Sequence, residues 1–278
     1  MRLSEQSETA RECINSSIDK SSLFRFLLAN LQLQHVLRTK GARHMKMALT
    51  TIPTSTNAAF ENILERIEHQ DPHAILTARR ALTWCYYAQR PLNMDELLEA
   101  LVIEDGDSDL RGRDNATTIV DCCLSFVAYD FATQRVGFMH PSVQRWFDSK
   151  PQSRVLLPCD YLAKTCLTYL MFDVFNVSSE YLNREEGRDL ATEHIGPQPF
   201  YRYVSQFWGT HTRAAEQESG IQNAALAFLA AENRKALMLK SAASIQDLEY
   251  IGGQTALHVA ASRGLTAVCH SLLNANVT

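Results

Sequence analysis

Glycine and proline are scarce in this 278-residue chain, at 11 and 8. That scarcity argues against a sandwich of short strands joined by tight turns and favours long helices. No apolar run approaches the roughly 18 residues that a membrane-spanning helix needs, so no membrane span is expected. Met1 to Cys13 carry Glu5, Glu8 and Glu12 without an apolar stretch, which sets them apart from a secretory signal. Basic charge is in deficit as well. The net charge of −4 leaves no global positive field to attract nucleic acid or anionic lipid. The seven cysteines, at 13, 85, 122, 123, 159, 166 and 269, are odd in number and irregular in spacing. They read as buried free thiols of a reducing compartment rather than as a disulfide framework, and a cytoplasmic protein is expected.

Motifs that carry chemistry are missing too. No Gly-x-Ser-x-Gly, His-Glu-x-x-His or zinc-finger spacing occurs. No glycine precedes a lysine, and Lys20-Ser21, Lys164-Thr165 and Lys240-Ser241 lack the glycine-rich loop that cradles phosphates. His69 and His73 stand four apart, but Pro72 interrupts the helix between them and no third ligand is near. Cys122 and Cys123 are adjacent, face different directions and are expected to pack in the core. The acidic loop 104–115 lacks the ligand spacing and closing glutamate of a calcium loop. The chain is therefore not expected to be an enzyme, and no catalytic residue, metal or cofactor is assigned to it.

What the chain does have is helical periodicity with clear punctuation, on a composition of 46% hydrophobic and 21% charged residues that suits a folded protein. Leu23, Phe24, Leu27, Leu28 and Leu31 mark a helix face running to about Leu37, and a basic link from Arg38 to Lys46 leads to Pro53. Phe60, Ile63, Leu64 and Ile67 share a second face. Asp71-Pro72 then reads as an N-cap with proline at the first helical position, opening a helix that Pro91 ends. Asn93 and Glu96 have capping-box spacing, with Leu92 and Leu97 as the staple. A short helix over Thr117 to Cys123 follows. Alternation then takes over in Ser125 to Tyr129 and Arg135 to Met139, around a turn at Asp130 to Gln134, so a hairpin is expected. Pro141 opens another helix through Phe147. Three helices, a hairpin and a helix make a winged-helix domain the economical reading. Further helices are expected around Leu162, Cys166, Tyr169 and Leu170, over Phe200 to His211, and as one segment over Ile221 to Leu239.

The last stretch, Gly253-Gln254-Thr255-Ala256-Leu257-His258-Val259-Ala260-Ala261-Ser262-Arg263-Gly264, resembles the opening of an ankyrin repeat, with Val268, Leu272 and Leu273 at the apolar places of its second helix. Thr255 and His258 stand where such repeats form bonds at the turn, and Gly264 where the first helix ends left-handed. A lone repeat is expected to leave Leu257, Val268, Leu272 and Leu273 partly uncovered. Upstream, Phe26 to Leu33 resembles the helix that closes the NACHT ATPase module of fungal STAND proteins, and Ala48 to Pro53 with Phe60 to Ile67 resembles the segment after it. Trp84 to Leu98, Leu124 to Val127 and Phe138 to Val143 are similar to the winged helix named after GPI inositol-deacylase. Phe200, Tyr203, Trp208 and His211 are similar to the helical connector before the repeats. The resemblance covers roughly residues 20–278. It implies a mainly α chain: 1–55 the C-terminal end of a NACHT module, 56–150 a winged helix with a small β-hairpin wing, 151–250 a helical connector, and 251–278 a first ankyrin repeat.

The function so implied is that of a non-catalytic regulatory and protein-interaction segment of a nucleotide-dependent switch. A protein partner is expected on the ankyrin and helical region, and a NACHT ATPase module in a longer parent. With no phosphate loop and one repeat, the chain reads as cut at both ends. In related STAND ATPases a Met-His-Asp motif at the end of the wing lets the histidine contact the nucleotide's terminal phosphate. The resemblance implies that role for His140, with Pro141 in place of the aspartate. Read from the residues alone, His140 is a structural histidine of the wing, expected to stand open to solvent at a domain edge. Two other functions remain open: a stand-alone ankyrin-type adaptor, and a winged-helix DNA-binding protein. The latter sits poorly with a net charge of −6 over residues 60–150 and with a recognition helix that carries Asp121 and no lysine or arginine.

Overall fold

The helices of the first half begin where side chains can satisfy their free amides. The computed structural model describes residues 55–110, 112, 116–150, 155–182, 198–245 and 253–275, with positions 29, 32 and 33. The helix expected from Leu23 to Leu37, the basic link after it and nearly all of the expected unit 1–55 lie outside the described residues. Helix α1 (Thr56–Glu68) opens on Ser55, whose hydroxyl accepts from the Ala58 amide at 3.2 Å. Helix α2 (Pro72–Tyr87) opens on Asp71, which accepts from the His73 and Ala74 amides at 3.1 and 3.0 Å. Helix α3 (Met94–Val102) carries the expected reciprocal box: the Glu96 amide donates to Asn93 Oδ1 at 2.7 Å, and the Asn93 amide to Glu96 Oε2 at 2.9 Å. Each pairing removes orphan donors from the first turn.

After the short helix α4 (Ala116–Cys122), Leu124 and Ser125 both take left-handed backbone angles, with φ of 45° and 79°. This sharp turn delays strand β1 (Val127–Asp130) by two residues against the alternation read from Ser125. Strand β2 (Arg135–Phe138) pairs with it antiparallel, Val127 opposite Phe138 and Asp130 opposite Arg135. The far side of β2 takes the residues just before α3. Val136 N–H donates to the Leu92 carbonyl at 2.8 Å, and Met94 N–H to the Gln134 carbonyl at 3.2 Å. Helices α2 to α4 followed by a hairpin, with an isolated bridge from Asn93 to Arg135 tying the start of α3 to β2, are a winged-helix arrangement. Helix α5 (Pro141–Asp148) closes it, with Phe60, Phe126, Phe138, Trp146 and Phe147 interlocked at ring separations of 5.1–5.9 Å.

The remainder is helical, so the fold is mainly α, as expected: α6 (Asp160–Leu170), a 3₁₀ turn (Asp173–Phe175), α7 (Ser179–Leu182), α8 (Pro199–Ala214), α9 (Ser219–Ala230), α10 (Glu232–Ile245), α11 (Ala256–Ser262) and α12 (Thr266–Asn274). Leu162, Cys166, Tyr169 and Leu170 are all buried, as their spacing indicates. The single helix expected over Ile221 to Leu239 is two. Ala231 breaks it with ψ near 80°, without any glycine or proline, so that α10 folds back against both α8 and α9. The core also continues across residue 150. Trp84 of α2 meets Phe200 and Tyr203 of α8 edge-on at 5.3 and 5.7 Å, and α8 packs on both α3 and α6.

At the C-terminal end, Thr255 Oγ1 and His258 Nδ1 lie 2.8 Å apart in a capping box, and Gly264 ends α11 with φ of 69°. One expectation is corrected here. Val268 and Leu272 are not left uncovered, because α9 packs against the pair and both side chains are buried. Glu216 Oε1 accepts from the Ala267 and Val268 amides at 2.7 and 3.1 Å, capping α12 from outside the pair. Only the outer side stays open, with Leu257 half-buried and Leu273 exposed.

Candidate functional site

His140 ends the wing and starts α5, and both jobs constrain its ring. Its backbone is extended (φ −155°, ψ 144°) and Pro141 follows at the first helical position. The ring therefore folds back over the first turn, where Nδ1 accepts from the Ser142 amide at 3.1 Å and from the Ser142 hydroxyl at 2.7 Å. Two donors on Nδ1 place the neutral ring's proton on Nε2. The expectation of an open ring is corrected: the residue is half-buried and its Nε2 atom lies inside. Burial, with the Arg145 charge as a second cause, holds its pKa below the usual histidine range, so the capping, neutral form is the one present near pH 7.

Two clefts flank this histidine. One, of about 380 Å³, lies between the end of α2 and β2 and is lined by Trp84, Cys85, Arg90, Gly137, Phe138 and Gln144. Its one cation among the described residues is already committed. Arg90 makes a two-pronged ion pair with Glu96 at 2.7 and 2.6 Å and lies 5.2 Å from the centre of the Tyr203 ring. Burial pushes the Cys85 thiol up to about 12, so at neutral pH it stays protonated and is a poor nucleophile. The other cleft, of about 440 Å³, lies on the opposite side of β1 and is bordered by Met94, Val120, Asp121, Val127, Phe131 and Met139.

Behind the first cleft a buried polar chain ties the winged helix to the helices after it. The Gln89 amide donates to the Tyr203 hydroxyl at 2.9 Å. The same hydroxyl lies 2.7 Å from His211 Nε2, and when it donates its proton there the neutral His211 carries its own on Nδ1. Burial lowers the His211 pKa to about 4. Nearby, the buried Glu99 carboxylate accepts from the Tyr169 hydroxyl at 2.7 Å and from the Phe200 amide at 3.1 Å, at the positive end of α8. Burial, then the Glu99 charge, drives the Tyr169 hydroxyl well above the ordinary phenol range. Sequence reading missed Glu99. The available signal was a lone carboxylate inside Leu97-Leu98-Glu99-Ala100-Leu101, which demands a buried partner.

The other singled-out residues fall as follows. His69 and His73 are exposed, His69 Nδ1 lies 2.7 Å from the Glu65 carbonyl, and among the described residues no three metal-ligating side chains gather. Cys122, Cys123 and Cys166 are buried, but Cys159 is exposed at the start of α6, against the expectation of buried thiols throughout. The acidic loop is stitched to the fold instead of standing free: Glu104 pairs with Arg80 at 2.6 Å and Ser108 accepts from the Asp173 amide at 2.9 Å. Among the described residues no helix is long and apolar enough to cross a membrane.

Residues 69–154 match the family model for the GPI inositol-deacylase winged helix domain. The match begins just after α1 and ends after α5, so it covers α2 to α5 and the hairpin. No curated protein and no solved structure matches the chain. Sequence match and strand order agree that residues 69–154 are a winged-helix domain similar to that of GPI inositol-deacylase.

Proposed function

We propose that this chain is a non-catalytic regulatory and protein-interaction segment of a STAND-type NTPase. In this reading residues 1–55 close a NACHT ATPase module, 56–150 are its winged helix, 151–250 a helical connector and 251–278 the first ankyrin repeat. The observation that carries the proposal is a winged helix without the charges of a nucleic-acid reader. Among the described residues helix α4 offers Thr117 and Asp121 to solvent and carries no lysine or arginine, and the wing tip offers Asp130 and Phe131 with Arg135 as its one exposed cation, so phosphate contacts have little positive charge to meet them there. The polar chain from Gln89 through Tyr203 to His211, together with the Glu99 links, supports a transmitting role, because the winged helix cannot shift without disturbing α6 and α8. The Thr255–His258 box and left-handed Gly264 support the ankyrin reading of the C-terminal pair. His140 would act in the parent as a phosphate sensor through its Nε2–H, once the ring turns outward.

The test is calorimetric titration with Mg–ATP of this chain and of the protein encoded when the reading frame is followed upstream of Met1. The expected result is no saturable binding by the chain, micromolar binding by the longer protein, and weaker binding after His140→Asn in the longer protein. Micromolar binding by the chain itself would overturn the reading. An upstream frame without a Gly-Lys-Ser/Thr loop would favour a stand-alone adaptor.

A further inference from the structure

Strand β1 has an open edge. Met139 N–H donates to the Phe126 carbonyl at 3.0 Å, whereas Val136 N–H turns away from β1 to the Leu92 carbonyl. With the register of the hairpin, the alternation of an antiparallel ladder points the backbone groups of Ala128 and Asp130 at β2 and those of Val127 and Tyr129 away from it. Among the described residues no strand pairs with that outer side. The 440 Å³ cleft runs beside the same edge and is mostly apolar, walled by Met94, Val120, Val127, Tyr129 and Met139. Phe131 stands at its end, 79% exposed, with its ring 4.7 Å from that of Tyr129. The turn leading into β1 holds Leu124 and Ser125 in left-handed conformations that non-glycine residues rarely take, a kind of strain that accumulates where a site fixes its backbone.

We propose that this edge and cleft dock an extended segment of a partner protein. The segment adds as a third strand beside β1, places alternate apolar side chains in the cleft, and sets a lysine or arginine against Asp121. Main-chain bonds to Val127 and Tyr129 supply the register, and the cleft supplies the selectivity, as in other strand-addition sites. An unpaired, apolar edge ending in an exposed phenylalanine is otherwise an aggregation hazard that folded proteins cover or charge. The choice of occupant follows from charge. Among the described residues that line the cleft, Asp121 is the one that carries a charge, so a basic side chain is attracted there and a nucleic-acid phosphate is not. A second copy of the chain would bring its own Asp121 and Asp130 to an edge that already carries them. The inference does not depend on an ATPase parent.

The experiment selects binders of the full chain from random dodecapeptides displayed on phage, then measures the synthetic consensus peptide by fluorescence anisotropy. Enriched sequences are expected to carry β-branched or aromatic residues at alternate positions, with a lysine or arginine among them. Asp121→Lys, an exposed helix position, should weaken the peptide at least tenfold. Tyr129→Pro, which removes the outward amide together with the ring, should do the same, whereas Tyr129→Phe, which keeps the amide and the ring, should not. Phe131→Ser should weaken it several-fold with the circular dichroism spectrum unchanged. Failure to enrich any family, enrichment of helical or proline-rich patterns, or indifference to both Asp121→Lys and Tyr129→Pro would overturn the proposal. So would a dimer of the chain that Phe131→Ser dissolves, which would make the occupant a second copy.

Discussion

His140 caps α5 through one ring nitrogen, and that makes its replacement informative. Removing the cap in His140→Ala should cost about 1 kcal/mol, whereas His140→Asn should hold most of it, asparagine being a strong N-cap. Urea unfolding of both variants checks this, and equal stability of the alanine variant and the parent sequence would remove the capping role. The capping role falls on the same side chain as the proposed phosphate-sensing role, and sequence position does not reveal the capping. His211 makes a second residue-scale prediction. Its pKa falls from 6.5 in the unfolded chain to about 4 in the fold because burial disfavours the cation. The unfolded chain therefore takes up the proton first, and the stabilising difference, fully present above pH 6.5, is lost as pH falls towards 4. The loss is about 3 kcal/mol by linkage. Glutamine keeps an acceptor for the Tyr203 hydroxyl and does not titrate. The stability difference between His211→Gln and the parent sequence should therefore move in the variant's favour across that window, measured by thermal melts from pH 7 to 4.

Among elements, the α11–α12 pair shows most clearly how a short motif depends on its setting. Its internal signals were legible: Thr255 with His258 at the start, Gly264 at the turn, and apolar residues in step. What covers it was not, because Glu216 reaches the first turn of α12 from 51 residues away. Gly209 of α8 contributes through its missing side chain, since a Cβ there would lie 2.8 Å from Arg263 Cβ and Cγ. Gly209→Ala is expected to cost about 1–3 kcal/mol through this overpacking. Glu216→Ala should raise the hydrogen-exchange rates of the Ala267 and Val268 amides first, leaving α2 to α5 protected. Uniform loss of protection across the chain would instead mean that the pair is not a separable element. The break at Ala231 teaches the converse. Apolar residues continue through it, so periodicity alone reads one helix, and only the return of α10 onto α8 and α9 decides two.

At the scale of the molecule, one hydrophobic cluster spans the winged helix and the helices behind it, so unfolding is expected to be a single transition. Far-ultraviolet dichroism and tryptophan fluorescence should give coincident curves, since Trp84 and Trp146 report one half and Trp208 the other. Glu99→Ala leaves the Tyr169 hydroxyl and the Phe200 amide without their buried acceptor and should cost about 2–4 kcal/mol. Two separate transitions in the unmutated chain would contradict the continuous core. The sequence by itself determined the parts whose causes lie within a few residues: the caps at Asp71, Asn93 and Thr255, the hairpin between Asp130 and Arg135, the left-handed Gly264, and the absence of a phosphate loop. Each is a local competition between a side chain and the nearest backbone amides, and three or four residues of text contain it. The tertiary structure alone decided the inward turn of His140, the open edge of β1 beside its cleft, and the joining of α3 to α8. Glu99 and Phe200 meet across 101 residues, and which buried donor meets which carboxylate is settled only when the whole core packs.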